Sequence, residues 1–180
     1  DVIIFNKQED FQKEIAQVKK LKVYLSQENF LKRQKLKIKS IELFETNFFI
    51  NKSDMIFIKK FLNKGFYRKP LIIKRANLFF QDQDKNTISF LNLKKINMYH
   101  NNKITQDILI SNGEIFNIPF NIIWKQDLNK LEKNTSIKFK KIKLNITNLT
   151  KLINDEKENK LQIYFNRSRY MINYDLKNKK

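Results

Sequence analysis

The sequence predicts a mainly β protein, one long curved antiparallel sheet with a short helix near residues 54–64, and three observations carry that expectation. Apolar residues alternate with polar ones at period two through most of the chain from Leu21 to Tyr174, as on strands with one wet face. Polar breaks recur at the roughly 8–12-residue spacing of a β-meander. A single stretch, Asp54–Lys64, switches to helical spacing.

Asp1 to about Lys20 sets Phe5, Phe11, Ile15 and Val18 at spacings of three to six, which reads as an irregular or helical lead-in. Leu21–Leu25 alternates, Ser26–Asn29 interrupts, and Leu36–Leu43 alternates again with a phase slip between Ser40 and Ile41, where a β-bulge would fit. Ser53 can cap the helix while Asp54 complements its dipole. Met55, Ile58, Phe61 and Leu62 make its apolar stripe, and Gly65 ends it. Strands follow at Leu71–Phe80, Thr87–Tyr99, Ile104–Ser111 and Glu114–Lys125, with turns at Gln81–Asn86, His100–Lys103 and Asn112-Gly113, the last being the strongest hairpin signal present. Pro119 asks for an edge or bulge position. A long strand from Thr135 to Asn148 slips phase at Lys140-Lys141, which again predicts a bulge. Lys160–Phe165 and Arg169–Tyr174 close the chain as a hairpin turning at Asn166–Ser168. The sum is eight to ten strands in a single β-rich segment, 1–180, with no internal linker. Because it opens on Asp1, we expect it to be cut from a longer protein.

With 41% hydrophobic and 13% aromatic residues, 180 residues can bury a real core. Two glycines and two prolines leave most turns to Asn, Asp and Ser. The absence of cysteine removes disulfides and thiol chemistry. No run approaches the ~18–20 apolar residues that a spanning helix needs. The net charge of +19 raises nucleic acid as a partner. Yet the excess is nearly all Lys, with Arg confined to positions 33, 68, 75, 167 and 169, and Asn, Ile and Phe are inflated alongside it, the pattern of AT-rich codons. Arg, the residue suited to bidentate phosphate or guanine contacts, is what is scarce.

Catalytic signatures are missing. His100 stands alone in a predicted surface turn, without a second His or any Cys to share a metal. Asp82–Asn86 resembles the opening of a calcium loop, but Thr87 and Leu93 occupy the places of the required Gly and Glu. Gly65 and Gly113 cannot make a phosphate loop. Glu42 and Glu45 read as solubilising charges among lysines. No enzyme activity, cofactor or metal is expected.

Two stretches carry a resemblance. VKKLKVYLSQENFLKRQKLKIKSIEL, residues 18–43, resembles the AsmA-family element in which two strands flank a short level segment and end in I-x-S-I-E-L before a helix. LIIKRANLFFQDQD followed by ISNGEIFNIPFNIIW is similar to that family's "i-x-n-a-x-i-x-f-x-D" strand and its "l-x-G-x-i-f-n-i-P-f" pattern, and NRSRYMINYDL fits its late strand. The resemblance covers most of Val18–Lys180, without the family's membrane anchor and with too few segments for a complete groove. It implies a taco-like sheet of the AsmA and TamB type, with a concave apolar face that shelters phospholipid acyl chains between the inner and outer membranes, in a periplasmic protein anchored to the inner membrane. Val23, Leu43, Phe79, Ile108, Ile118, Phe120, Ile122, Trp124, Ile142 and Leu144 are the candidates for that lipid-facing surface. Adjoining segments of the same longer chain and an anionic membrane surface are the other expected partners. Two alternatives stay open, a basic RNA-associated protein of ribosomal type and a purely structural scaffold sheet, because alternation is the same whether protein or lipid covers the apolar side.

Overall fold

The computed structural model describes residues 1–8, 11–26, 37–63, 69–153 and 156–174. Eleven strands form one sheet in strict sequence order: β1 (Val2–Gln8), β2 (Phe11–Leu25), β3 (Ile38–Ile50), β4 (Leu71–Gln81), β5 (Thr87–Asn101), β6 (Gln106–Ile115), β7 (Ile118–Asp127), β8 (Glu132–Phe139), β9 (Leu144–Ile153), β10 (Glu156–Phe165) and β11 (Ser168–Tyr174). Neighbours are antiparallel except β3 and β4, which run parallel. A parallel pair needs a crossover, and helix α1 (Asp54–Asn63) supplies it. The expected mainly β architecture, a long open curved sheet with one short helix among the described residues, is what the chain adopts.

The first residues are not a helical lead-in. They form β1 and the start of β2, because the β-branched and aromatic run Val2–Phe5 favours a pleated surface and pairs with Glu14–Val18. The 15-residue β2 continues into the stretch whose alternation the sequence displays.

The helix begins where expected, with a different cap. Asn51 Oδ1 accepts from the backbone N–H of Ser53 (3.1 Å) and of Asp54 (3.3 Å), while Asp54 Oδ2 accepts from Asn51 N–H at 2.9 Å. This reciprocal pair is a capping box with Asp in the usual Glu position. Ser53 instead donates its hydroxyl to Asn51 Oδ1 at 2.6 Å. Asp54 is 1% exposed and also pairs with Lys13 of β2, so one carboxylate closes the helix and ties it to the sheet. Asp54→Ala should therefore cost about 2 kcal/mol, a cap plus a partly buried ionic hydrogen bond, and should speed hydrogen exchange in α1 more than in β5. Equal acceleration in both elements would refute that assignment. Gly65, the expected C-terminal cap, lies outside the described residues.

Several turns fall elsewhere than predicted. Asn112-Gly113 lies inside β6, and the hairpin turns at Phe116-Asn117, both at positive φ (48° and 59°), as a two-residue type I′ turn requires. Gly113 is glycine for a packing reason: a Cβ there would sit 2.2 Å from Asn92 O and 3.1 Å from the Phe120 ring. The expected strand Thr135–Asn148 is two strands, β8 and β9, and its phase slip marks the turn 140–143 rather than a bulge. With few glycines, ordinary side chains take the left-handed turn positions, among them Lys85, Thr105, Leu131, Lys143 and Asn166. Asp82 accepts from Asn86 N–H at 2.8 Å, which makes the calcium-like stretch a hairpin turn. Pro119 is in the interior strand β7, but the β7–β8 ladder starts only at Asn121, so it faces a local edge. The slip near Ser40 is a bulge: Tyr24 pairs with Ser40 and Leu25 with Ile38.

His100 is in β5, not in a turn. Its Nδ1 lies 2.8 Å from Asp107 Oδ1, and the two side chains are 15% and 1% exposed. The signal was hidden because Asp107 pairs with it only through the β5–β6 register.

Paired residues share a face, so the register assigns each side chain. Val18, Leu43, Ile73, Ala76, Leu93, Ile96 and Phe120 form one buried cluster on the inner face. The outer face is lysine-rich as expected, but it also carries aromatics. Phe79 stacks on Phe49 (centroids 5.5 Å apart) and tilts against Phe90 (6.4 Å), while Lys22 and Lys74 sit 5.2 and 5.1 Å from the Phe44 ring. Beside them, Glu45 and Arg75 take positive φ (51° and 56°) at facing positions that interrupt the β3–β4 ladder, and pair at 3.0 Å. Lys19, at 2.7 Å, and Arg75 hold the Glu45 carboxyl below its ordinary range, Lys19 more strongly.

Candidate functional site

The curl of the sheet follows from where α1 lies. The helix is joined to β3 and β4, yet Met55, Ile58 and Leu62 line a cavity of about 510 Å³ together with side chains of β7, β8, β9 and β10. In a flat sheet with strands ~4.8 Å apart, β4 and β10 would be separated by roughly 29 Å. The sheet must curl for a helix joined to β3 and β4 to border a cavity walled by β7–β10. The helix face is the predicted stripe with one change: Lys59 joins Met55, Ile58 and Leu62 at the cavity, and Phe61 is 42% exposed.

The wall opposite α1 is graded in polarity along the strand direction. Cross-strand pairing gives the row Gln126, Lys133, Thr150, Asn159 at the cavity, and next to it Trp124, Thr135, Asn148, Leu161. The following row is Ile122, Ile137, Ile146, Ile163, wholly apolar. Beyond it come Phe120, Phe139, Leu144 and Phe165, with the first two rings 6.0 Å apart. From the first row to the last is six residues along a strand, about 20 Å. Phe120 and Trp124 are buried, the isoleucines half-buried and Phe165 51% exposed, so the wall opens toward β10.

At the polar end, Lys133, Lys59 and Lys157 border the same cavity. Burial first, and then the charges of Lys157 and Lys59, push the Lys133 ammonium below the ordinary lysine range. Thr150 Oγ1 donates to Asn159 Oδ1 at 2.8 Å, and the Oε1 of Gln126 is buried without a hydrogen-bond partner.

Of the residues proposed from sequence as one lipid-facing surface, Val23, Leu43, Ile118, Phe120, Ile122, Trp124 and Leu144 share the inner face. Leu43, Phe120 and Trp124 are buried there, whereas Val23 is 46% exposed. Phe79 and Ile108 are on the outer face, Ile108 being paired with Tyr99 and Lys125. Ile142 is in the β8–β9 turn. Their displacement comes from the bulges and turns that sequence periodicity put in other places. Ile137, Ile146 and Ile163, and the three lysines, were missed. Alternation shows each of those isoleucines to be inward on its own strand, but only the register lines them up.

Among the described residues no group of His, Cys, Asp and Glu could hold a metal ion, and no helix is long and apolar enough to cross a membrane. Comparison with protein-family models, curated proteins and solved structures finds no match to this chain.

Proposed function

We propose that the chain is a lipid-sheltering segment of an AsmA-like envelope protein, binding phospholipid acyl chains on the inner face of its curved sheet without catalysis. The observation that carries this reading is the mismatch between the sheet and its cover. Eleven strands at ~4.8 Å spacing offer a surface some 48 Å across. The one helix among the described residues has 10 residues, about 15 Å of length and 10–12 Å of width. Toward the sheet's margins the inner face keeps large apolar side chains in contact with solvent: Leu21 at 43%, Val23 at 46%, Tyr170 at 57% and Ile172 at 48%. Apolar surface of this extent on a soluble face marks a binding surface, and acyl chains fit it because they need no polar partner.

The open edges of β1 and β11 suit a segment that continues into neighbouring sheet, since unpaired strand edges seek partners. Adjoining segments of one longer chain would extend the groove, and the periplasm between two membranes is the compartment that such a protein would serve.

The test is native mass spectrometry of protein purified without detergent exchange. Adducts of phospholipid mass, lost on delipidation together with a fall in melting temperature, are expected. A folded, delipidated chain that takes up no phospholipid from vesicles would overturn the reading. Tight, steeply salt-dependent RNA binding in its place would favour the basic RNA-associated alternative.

A further inference from the structure

We infer that the cavity between α1 and β7–β10 is a head-group site for an anionic phospholipid, whose phosphate is held by Lys59, Lys133 and Lys157 and whose acyl chain runs along the isoleucine and phenylalanine rows. The inference rests on the lipid-sheltering reading above and adds an orientation and a selectivity to it. An amphiphile needs a charged end and an apolar end at the right separation, and this wall has both. The basic row and the Phe120 row are about 20 Å apart, against ~15 Å for one leaflet's share of a ~30 Å hydrocarbon core.

Charge complementarity points to an anion. The cavity lining contains three lysines and no acidic residue among the described residues. On the same face the Asp107 carboxylate, register partner of Gln126, is taken up by His100 at 2.8 Å, and on the opposite face Glu132 pairs with Lys151 at 2.8 Å, where Glu158 is Lys151's register partner. Three ammonium groups around one half-enclosed volume repel each other, and at Lys133 the charges of Lys157 and Lys59 add to burial, the larger cause, in disfavouring the charged form. A phosphate between them would reverse the sign of the interaction. Gln126 supplies a second polar handle, since its buried Oε1 can accept from a head-group hydroxyl. A volume near 510 Å³ is within the ~300–1,000 Å³ range of ligand pockets. It suits a head group and the start of its chains, with the remainder leaving along the open wall.

Native mass spectrometry with dioleoyl phosphatidylglycerol and dioleoyl phosphatidylcholine, offered at equal concentration in mixed micelles, separates the possibilities. The natural chain should capture phosphatidylglycerol over phosphatidylcholine by at least about tenfold. In K59Q/K133Q/K157Q the ratio should fall towards one, while K125Q/K138Q/K160Q, which removes the same charge from the outer face, should keep it. K133R should also keep it and serves as a folded control at the site itself. Equal capture of the two lipids by the natural chain, or loss of the ratio in the outer-face variant, would overturn the head-group site and leave the groove standing. Displacement of phosphatidylglycerol by millimolar inorganic phosphate would reassign the lysines to a soluble anion and also overturn it. Capture of neither lipid would remove both readings together.

Discussion

Gly113→Ala is expected to lower the melting temperature by roughly 6–12 °C. The added Cβ would stand 2.2 Å from the backbone oxygen of Asn92 on the neighbouring strand, and a backbone atom inside a sheet ladder cannot step aside as the end of a side chain can. Overpacking in a well-packed region costs ~1–3 kcal/mol. A backbone obstacle puts this case at the upper end, about 3 kcal/mol, and each kcal/mol shifts the midpoint of a domain this size by ~2–4 °C. The Phe120 ring is the second neighbour, at 3.1 Å. If the ring were the obstacle, Phe120→Leu would rescue Gly113→Ala. Because the carbonyl is the obstacle, the double variant should be no more stable than Gly113→Ala alone. Rescue to within 1 °C of the Phe120→Leu parent would show the account to be wrong. The site also bears on function, since Phe120 opens the last apolar row of the inner wall.

Gly113 illustrates where sequence reasoning stops. Asn-Gly between apolar stretches carries the strongest short-range hairpin signal, and the inference fails here because the glycine answers to a strand that is distant in sequence. What alternation reveals is which side of its own strand a residue occupies, and on that basis the strands at Leu71–Phe80 and Thr87–Tyr99, the helix at Asp54 and the β10–β11 hairpin were legible, whereas β8 and β9 were read as one strand. Alternation does not reveal how many residues a bulge absorbs. Nor does it tell whether a phase slip is a bulge, as at Lys39, or a full reversal, as at Lys140–Lys143. Each such ambiguity moves every later side chain to the other face. Phe79 and Ile108 were misplaced for that reason. The lysine end of the cavity was hidden for another: in a chain of net charge +19, three lysines that converge from α1, β8 and β10 look like all the rest until the sheet curls.

His100 and Asp107 should show the same dependence on register in the energetics. The carboxylate is 1% exposed, its Oδ1 is held by His100 at 2.8 Å, and its Oδ2 is buried without a partner. His100→Leu then leaves the buried carboxylate without its His100 partner, and removing one partner of a buried ionic hydrogen bond costs about 3 kcal/mol or more. Asp107→Leu should cost less, about 1–2 kcal/mol, because the imidazole keeps some exposure and can turn a nitrogen to water. Replacing both by leucine removes the polar groups together, and such exchanges are close to neutral. The double variant should be more stable than His100→Leu by at least about 1 kcal/mol, measured as urea midpoints at constant slope. Strict additivity would mean that the two side chains do not act as a pair. Asp107 is the register partner of Gln126, so the same loss should loosen the polar row at the cavity. His100→Leu is accordingly expected to weaken phosphatidylglycerol capture even at temperatures where the sheet as a whole remains folded, and unchanged capture at such a temperature would separate the pair from the site.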